Sequence, residues 1–174
     1  MRSNKKAENA REAFAELYDY YMPKVFRYIS YQVGNMDLAE DLTSAVFEKA
    51  LTRLDSYRSN KAAFSTWLMT IARNTIIDHY RLKSRKITIS IEEVFEPASE
   101  EISPEEKIIR KEELEMLDTY LRELSQQERE IISLKFGAEL SNRQIAKMLG
   151  LSESNVGTKL YRAICKLRDK FKER

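Results

Sequence analysis

The sequence predicts an all-α fold of two small helical domains, joined by an acidic flexible linker, with a helix-turn-helix in the second domain. Three observations predict this class. Apolar residues recur at helical spacing along most of the chain. Glycine and proline are scarce, with four and three residues among 174, too few for the turns of a β-sandwich or barrel. Serines at positions 103, 125 and 141 each begin a capping box, the signature of a helix N-terminus.

The first domain is predicted over residues 7–86 and consists of consecutive helices. Helical spacing of apolar residues runs over 7–31, and Pro23 lies where we expect one helix to end and another to begin. The spacing returns over Met36–Leu54, where Asn35 is a good N-cap residue, and over Ala62–Lys83, with a short polar turn between them. Together these segments predict one helical bundle.

The linker is predicted over residues 87–103 and the second domain over residues 104–174. Helical spacing stops at Ile87, and acidic residues and Pro97 follow, which is typical of an extended tether. Beyond it the three capping boxes predict three helix starts. Gly150 is expected to end the third of these helices, and Ser152 to begin a last helix that runs to about residue 170.

Charge is unevenly distributed along the chain. Residues 1–86 carry 15 Lys and Arg against 10 Asp and Glu, residues 87–130 carry 5 against 14, and residues 131–174 carry 10 against 4. Two basic bodies therefore flank an acidic middle. A basic body is the electrostatic footprint of a nucleic-acid surface, although a solvated lysine-rich face gives the same count.

Composition also argues against several classes of protein. No apolar run approaches the roughly 20 residues of a membrane span, and we expect a cytoplasmic protein. Cys165 and His79 are the only cysteine and histidine, so an internal disulfide is excluded and no metal site is expected. With no glycine-rich phosphate loop and no nucleophile–base pair, we expect neither a cofactor nor an enzyme.

The segment from residue 142 to 167 has the pattern of a helix-turn-helix. Small Ala146 allows two helices to approach closely, and Gly150 suits the tight turn between them. The expected core positions of the second helix are Val156, Leu160, Ile164 and Leu167. Its outward positions, which suit a major groove, are Asn155, Lys159, Arg162 and Lys166. An α-hairpin with a solvated basic side is the alternative interpretation.

Three motifs, in order along the chain, carry a resemblance to a known family. The first is Ala39-Glu40-Asp41-Leu42-Thr43 with Val46, Phe47 and Ala50. The second is Phe64-Ser65-Thr66-Trp67-Leu68 with Ile71-Ala72-Arg73-Asn74 and the segment from Asp78 to Arg81. The third is the segment from Leu151 to Val156 with Leu160, Arg162-Ala163 and Leu167-Arg168. The sequence resembles the bacterial RNA polymerase sigma factors of the extracytoplasmic-function (ECF) family.

The resemblance implies a transcription initiation factor. Such a protein binds core RNA polymerase, through the coiled coil of the largest subunit and the flap, recognises the −10 and −35 promoter elements and promotes DNA melting. Its implied partners are polymerase, promoter DNA and an anti-sigma factor, and it associates with the nucleoid when active. The alternative is a helix-turn-helix regulator that does not join polymerase. Promoter-specific transcription by polymerase plus this protein separates the two.

The resemblance also implies which residues make each contact. Polymerase binding is assigned to Asp37, Glu40, Asp41, Thr43 and Phe47. Recognition and melting of the −10 element are assigned to Tyr57, Arg58, Phe64, Trp67, Arg73, Asn74 and Arg81. Recognition of the −35 element is assigned to Ser154, Asn155, Thr158, Lys159, Tyr161 and Arg162. For Trp67, a purely structural role fits its helical spacing equally well.

Two departures from the family pattern are visible. Ser44 and Ala45 stand where relatives often carry Gln-Glu or Gln-Asp, so a normal polymerase contact at these positions is in doubt. Gly157 stands where many relatives carry Arg or Lys, which removes a direct DNA contact and predicts a different promoter preference.

Overall fold

The structure, a computed structural model, describes residues 2–86, 116–117 and 119–172. The first of these ranges, the N-terminal body, contains three helices. They are α1 (Arg2–Val33), α2 (Met36–Arg53), which is followed by a 3-10 turn (Leu54–Ser56), and α3 (Phe64–Lys86). We refer to residues 119–172 as the C-terminal body.

The C-terminal body is built from short helices. Residues 119–123 are helical, and α4 (Gln126–Ile132) continues directly into a π-helical turn (Ser133–Gly137). Helices α5 (Asn142–Leu149) and α6 (Glu153–Lys172) complete it. The described residues contain no strand, and the all-α prediction is confirmed. The predicted linker and the capping box at Ser103 lie outside the described residues, and the exact domain bounds stay predictions.

Helix α1 continues through Pro23, so the prediction of two helices in this segment is wrong. Proline lacks the N–H that would bond to the carbonyl of residue 19, and an interior proline costs ~3 kcal/mol. Burial offsets this cost, because Val25, Tyr28 and Ile29 are completely buried directly after the proline. Fully burying an apolar side chain of this size contributes ~1.5–3 kcal/mol.

The capping residues predicted from the sequence fix the helix ends. The side chain of Asn35 accepts the Leu38 N–H at 2.8 Å. Ser125 and Ser141 both form complete capping boxes with the residue three positions later. Gly150 ends α5 in the left-handed region at φ 66°, a conformation that favours glycine, and the Ser152 hydroxyl accepts the Asn155 N–H at 3.1 Å.

The core of each body is formed by the inward faces of its helices. In the N-terminal body, completely buried residues from all three helices include Ile29, Val46 and Leu68, and in the C-terminal body Ile145 and Val156 are likewise completely buried. No helix within the described ranges is long and apolar enough to cross a membrane.

One predicted core position on α6 is wrong. Ile164 is 41% exposed, whereas Ala163 is completely buried. The reason is helical geometry, because at about 100° per residue position 163 lies close to the axis of the face centred on Val156, and position 164 lies at its edge. Val156 and Leu160 are buried as predicted, and Leu167 is half-buried.

The two bodies pack directly against each other. The second half of α1 lies against the π-helical turn, where a side chain at Gly137 would meet the backbone of Tyr28. Polar contacts accompany this packing: the Tyr28 hydroxyl donates to Glu130 Oε1 at 2.7 Å, and Gln32 donates to Ser133 Oγ at 2.9 Å. The helix-turn-helix is therefore held at a defined place on the N-terminal body.

We predict that Glu128→Gln weakens the C-terminal body in a pH-dependent way. Glu128 accepts from Lys166 Nζ at 2.7 Å, and chiefly this contact lowers the pKa of its carboxyl from 4.5 to about 2. A depressed folded-state pKa stabilises the fold above the unfolded value, and the contribution is lost as pH falls through the folded value. The variant should lose about 1 kcal/mol of unfolding free energy at pH 7.

The measurement is urea unfolding of both proteins at a series of pH values. The difference between wild type and Glu128→Gln should shrink as the pH falls from about 4.5 toward about 2. Glu123→Gln is the matched control, because Glu123 is an exposed partner of Lys170 at 3.4 Å and such pairs contribute little. A pH-independent difference would contradict the assignment.

Candidate polymerase and DNA interfaces

The outer surface of α2 carries an acidic strip. Glu40 and Asp41 are exposed and Asp37 is half-buried. Positions 37, 41, 44 and 48 lie within about 60° of one another around a helix, and exposed Glu48 therefore extends the same strip. Three of the five predicted polymerase contacts thus lie on one accessible side of α2.

The other two predicted polymerase contacts are buried. Thr43 is 6% exposed, and its hydroxyl donates to the Ala39 carbonyl at 2.6 Å. Phe47 is also 6% exposed and packs against the ring of Tyr18, with centroids 4.6 Å apart. In this conformation neither side chain is available for a direct contact. Phe47 instead supports Tyr18, and Leu51, 56% exposed, follows one turn along α2.

Three of the predicted melting residues form an aromatic cluster, which we define as Tyr57, Phe64 and Trp67. The three ring centroids lie 5.3 to 5.4 Å apart, and Tyr21 of α1 extends the cluster with its centroid 5.2 Å from that of Phe64. The Tyr57 hydroxyl donates to the Ala62 carbonyl at 3.1 Å, which fixes the loop before α3. All these rings are half-buried, so the cluster packs on the core while part of it faces solvent.

Polar and basic candidates surround the aromatic cluster. The Arg58 guanidinium donates to the carbonyls of Asp55, at 2.6 Å, and Tyr57, at 3.0 Å, so its position is fixed by the loop. Asn74 and Arg81 are exposed and stand seven residues apart on α3, a spacing that puts them on one side of the helix.

Arg73 is engaged by the C-terminal body. Its Nε lies 3.4 Å from Glu130 Oε1, and the same carboxylate oxygen accepts from the Tyr28 hydroxyl. Burial and the Glu130 carboxylate raise the pKa of Tyr28 well above its ordinary value, so Tyr28 remains a hydrogen-bond donor. Arg73, which was predicted to contact DNA, thus forms an ion pair between the two bodies.

The predicted −35 residues occupy the N-terminal half of α6. Ser154, Asn155, Thr158, Tyr161 and Arg162 are exposed and Lys159 is half-buried. The capped start of α6 follows directly on the Gly150 turn, so this half of the helix projects from the helix-turn-helix. Lys166, which the spacing placed on the same face, is instead paired with Glu128.

Family models and a relative identify the chain. Residues 17–86 match the model Sigma-70 region 2, and residues 114–167 match Sigma-70, region 4. The chain is 32% identical over 156 residues to the ECF RNA polymerase sigma factor SigM of Bacillus subtilis, with 88% of this chain and 91% of that protein covered. The chain belongs to the ECF family of RNA polymerase sigma factors.

Two further proteins resemble this ECF sigma factor. It is 35% identical over 153 residues to the ECF RNA polymerase sigma factor BldN of Streptomyces coelicolor, and the match covers 88% of this chain but only 58% of that longer protein. The sigma factor RpoE of Bartonella quintana, solved in complex with the anti-sigma factor NepR, has the same fold at TM-score 0.70 and 23% identity, with 92% and 98% of the chains covered. A regulator that does not join polymerase is not favoured.

Sequence reasoning missed three features of these surfaces. Glu48 continues the acidic strip. Its spacing of eleven residues from Asp37, which places both on the same side of a helix, could have predicted this. Tyr18 of α1 and Leu51 of α2 are exposed, although both follow the helical spacing of apolar residues along their helices. Glu130 was missed because its two partners, Tyr28 and Arg73, lie far from it in sequence.

We predict that Arg162→Ala weakens binding of the −35 element. If the exposed guanidinium bonds a guanine edge, its loss should cost about 1–3 kcal/mol, and less if it contacts only phosphate. The measurement is a salt series of binding assays with the polymerase holoenzyme on promoter duplex. Arg168→Ala is the matched control, because Arg168 is exposed on another side of α6. Unchanged affinity in Arg162→Ala would remove this residue from the interface.

Proposed function

We propose that this ECF sigma factor directs core polymerase to promoters through three separate surfaces: the acidic strip of α2, the aromatic cluster before and within α3, and the exposed half of α6. The observation that carries this proposal is the aromatic cluster. Three rings of the type that stack on bases come together from a loop and a helix at one partly exposed place.

Promoter melting requires bases that leave the DNA stack to find another stacking partner. Aromatic side chains provide one, at about 1–3 kcal/mol per base, and an extruded base also needs polar groups that bind its edge or backbone. In this proposal Tyr57, Phe64 and Trp67 stack, while Arg58, Asn74 and Arg81 bind phosphates or base edges. The cluster's packing on the core keeps the rings in place before DNA arrives, which reduces the ordering cost of binding.

Recognition of the −35 element is assigned to α6. A helix that follows a tight turn in this motif lies in the major groove with its N-terminal residues at the base edges. Asn155 and Arg162 supply the amide and guanidinium chemistry that reads adenine and guanine. A side chain would fit at Gly157, since an added Cβ would lie at ordinary van der Waals distance, 3.8 Å, from Asn142 Nδ2, and its absence is thus proposed to alter sequence preference.

Binding of polymerase is assigned to both bodies. The acidic strip and the neighbouring exposed side chains of Tyr18 and Leu51 suit the coiled coil of the largest subunit. Basic groups of that coiled coil would pair with the carboxylates of the strip, and its apolar groups would pack on Tyr18 and Leu51. Where the C-terminal body meets α1, an open apolar groove of about 350 Å³ is lined by residues that include Leu121, Phe136 and Ile164 of the C-terminal body and Tyr31 of α1. We assign this groove to an apolar segment of the flap.

In this role the protein works in the cytoplasm, joins the nucleoid with polymerase, and needs no catalytic group of its own. A solved structure with this fold is a complex of a sigma factor with an anti-sigma factor. We extend that kind of partner to this chain as a proposal. Such a protein would block the polymerase and DNA surfaces that the two bodies present.

The test is run-off transcription on fragmented genomic DNA from the host, with core polymerase alone and with this protein added. Discrete transcripts that depend on both components support the proposal. If the protein instead bound specific duplex sites alone and left the transcripts unchanged, the helix-turn-helix regulator would be the correct function.

We predict that Trp67→Ala reduces promoter opening more than promoter binding. Loss of one stacking ring should cost about 1–3 kcal/mol of open-complex stability, measured as permanganate reactivity of unpaired thymines on a promoter identified by run-off transcription. Phe171→Ala is the control, because it removes an exposed aromatic ring from the end of α6. Equal reactivity of Trp67→Ala and wild type would assign Trp67 to the core alone.

A further inference from the structure

One strongly exposed aromatic ring lies next to the aromatic cluster. Tyr20 of α1 is 60% exposed, and its ring centroid lies 4.9 Å from that of Tyr21. Tyr21 in turn contacts Phe64, which belongs to the cluster. A single exposed tyrosine is ordinary on a protein surface. Tyr20 differs because it continues a series of neighbouring rings from α3 onto α1.

The spacing and orientation of these rings fit an opened nucleic-acid strand. Going from Trp67 to Tyr20, the three successive centroid distances are 5.3, 5.2 and 4.9 Å. Successive bases of a stacked strand lie about 3.4 Å apart along the axis, and they lie further apart once the stack is opened. Neighbouring ring planes in the series are tilted by 43° to 87°. The series therefore suits bases that are bound one at a time, and not a continuous stack.

A cation holds the ring of Tyr20 in place. Lys24 follows Tyr20 by one turn of α1, and its Nζ lies 4.0 Å from the centroid of the Tyr20 ring. An ammonium group at this distance is attracted by the electrons of the ring. The Lys24 ammonium is fixed in turn by Glu139, at 2.8 Å. The exposed ring is therefore ordered before a ligand arrives, which lowers the ordering cost of binding.

We propose that Tyr20 is a further stacking site, which binds one base of the melted strand beyond the bases on the aromatic cluster. This proposal rests on the proposed function, because a strand has to lie on the cluster before its next base reaches α1. The ligand is single-stranded DNA. The contact is to the face of a base, and every base has such a face. Tyr20 thus lengthens the bound segment of the strand without adding sequence specificity.

The test is how the affinity for single-stranded DNA depends on strand length. Trp67 is the only tryptophan of the chain, so quenching of tryptophan fluorescence reports a base at the cluster. The probes are random-sequence pools of trinucleotides and of 12-mers, each titrated into the full-length protein. A stacked trinucleotide spans about 7 Å, which is too short for the three ring-to-ring steps from Trp67 to Tyr20. A 12-mer is long enough to reach both rings.

We expect Tyr20→Leu to bind the 12-mers about fivefold or more weakly than wild type, and the trinucleotides with unchanged affinity. Leucine keeps an apolar side chain at this position but removes the ring. Tyr20→Phe is the matched control, because it keeps the ring and should retain the wild-type dependence on length. Phe171→Leu removes an exposed ring from the C-terminal end of α6 and should change neither affinity. Circular dichroism verifies that all variants keep the wild-type helix content.

The outcomes separate this proposal from the proposed function. Equal 12-mer affinity of Tyr20→Leu and wild type, with Trp67 quenched in both, would overturn the site at Tyr20 and leave the role of the cluster intact. Weaker binding of both probes by Tyr20→Leu would also overturn it, because Tyr20 would then only support the cluster by packing. If neither probe quenched Trp67 in the wild-type protein, the cluster would not stack bases and both proposals for melting would fail. A loss confined to the 12-mers, absent from Tyr20→Phe, supports the proposal.

Discussion

The arrangement of the two described bodies depends on the fully buried side chain of Tyr28. A buried hydroxyl needs a hydrogen-bond partner, since leaving it without one costs about 1–3 kcal/mol. No residue of the N-terminal body provides that partner in the described contacts; Glu130 of the C-terminal body does. The carboxylate in turn lies against Arg73. Polar contacts thus connect α1, α4 and α3, and the C-terminal body provides the hydrogen-bond acceptor that the buried Tyr28 hydroxyl needs.

These linked contacts from Tyr28 through Glu130 to Arg73 use, for packing of the two bodies, a residue that is also proposed to bind DNA. Arg73 can make its proposed contact with DNA only when its guanidinium is free, yet in this arrangement it neutralises the partly buried carboxylate of Glu130. Around this centre the contacts are polar and short-ranged, and their exposed members, such as the Arg27–Glu139 pair, are screened by salt. Salt therefore weakens such an exposed pair more than it weakens the partly buried contact of Tyr28 with Glu130.

Local sequence signals predicted most of the fold because the physics behind them is local. The cap residues Asn35, Ser125 and Ser141 act within one turn, and each begins a helix as expected. The family motifs likewise identified the protein, because they lie within single helices. Pro23 was predicted to separate two helices, but α1 continues through it. Packing of the residues after Pro23 against distant parts of the chain outweighs the local cost of the proline.

What could not be predicted was the relation between the two bodies. Glu130, Gln144 and Lys147 read from sequence as surface residues of short polar helices, and nothing within a turn of them indicates Tyr28 or Ser65 as partners. The burial of Thr43 and Phe47 was missed for a similar reason. A family motif shows that a residue belongs to a functional helix. It does not show which side of that helix faces the core, because that depends on the elements packed against it.

The π-helical turn has a consequence for how the domain orientation can change over evolution. Its wide hydrogen bond, from Ala138 N–H to the Ser133 carbonyl at 3.0 Å, accommodates one residue more than an α-helical turn does. Removing that residue would restore α-helical geometry and rotate everything after it by about 100°. Helix α6 would then face a different direction relative to α4, with its own sequence unchanged. The length of this single turn therefore sets the direction in which the helix-turn-helix faces relative to α4.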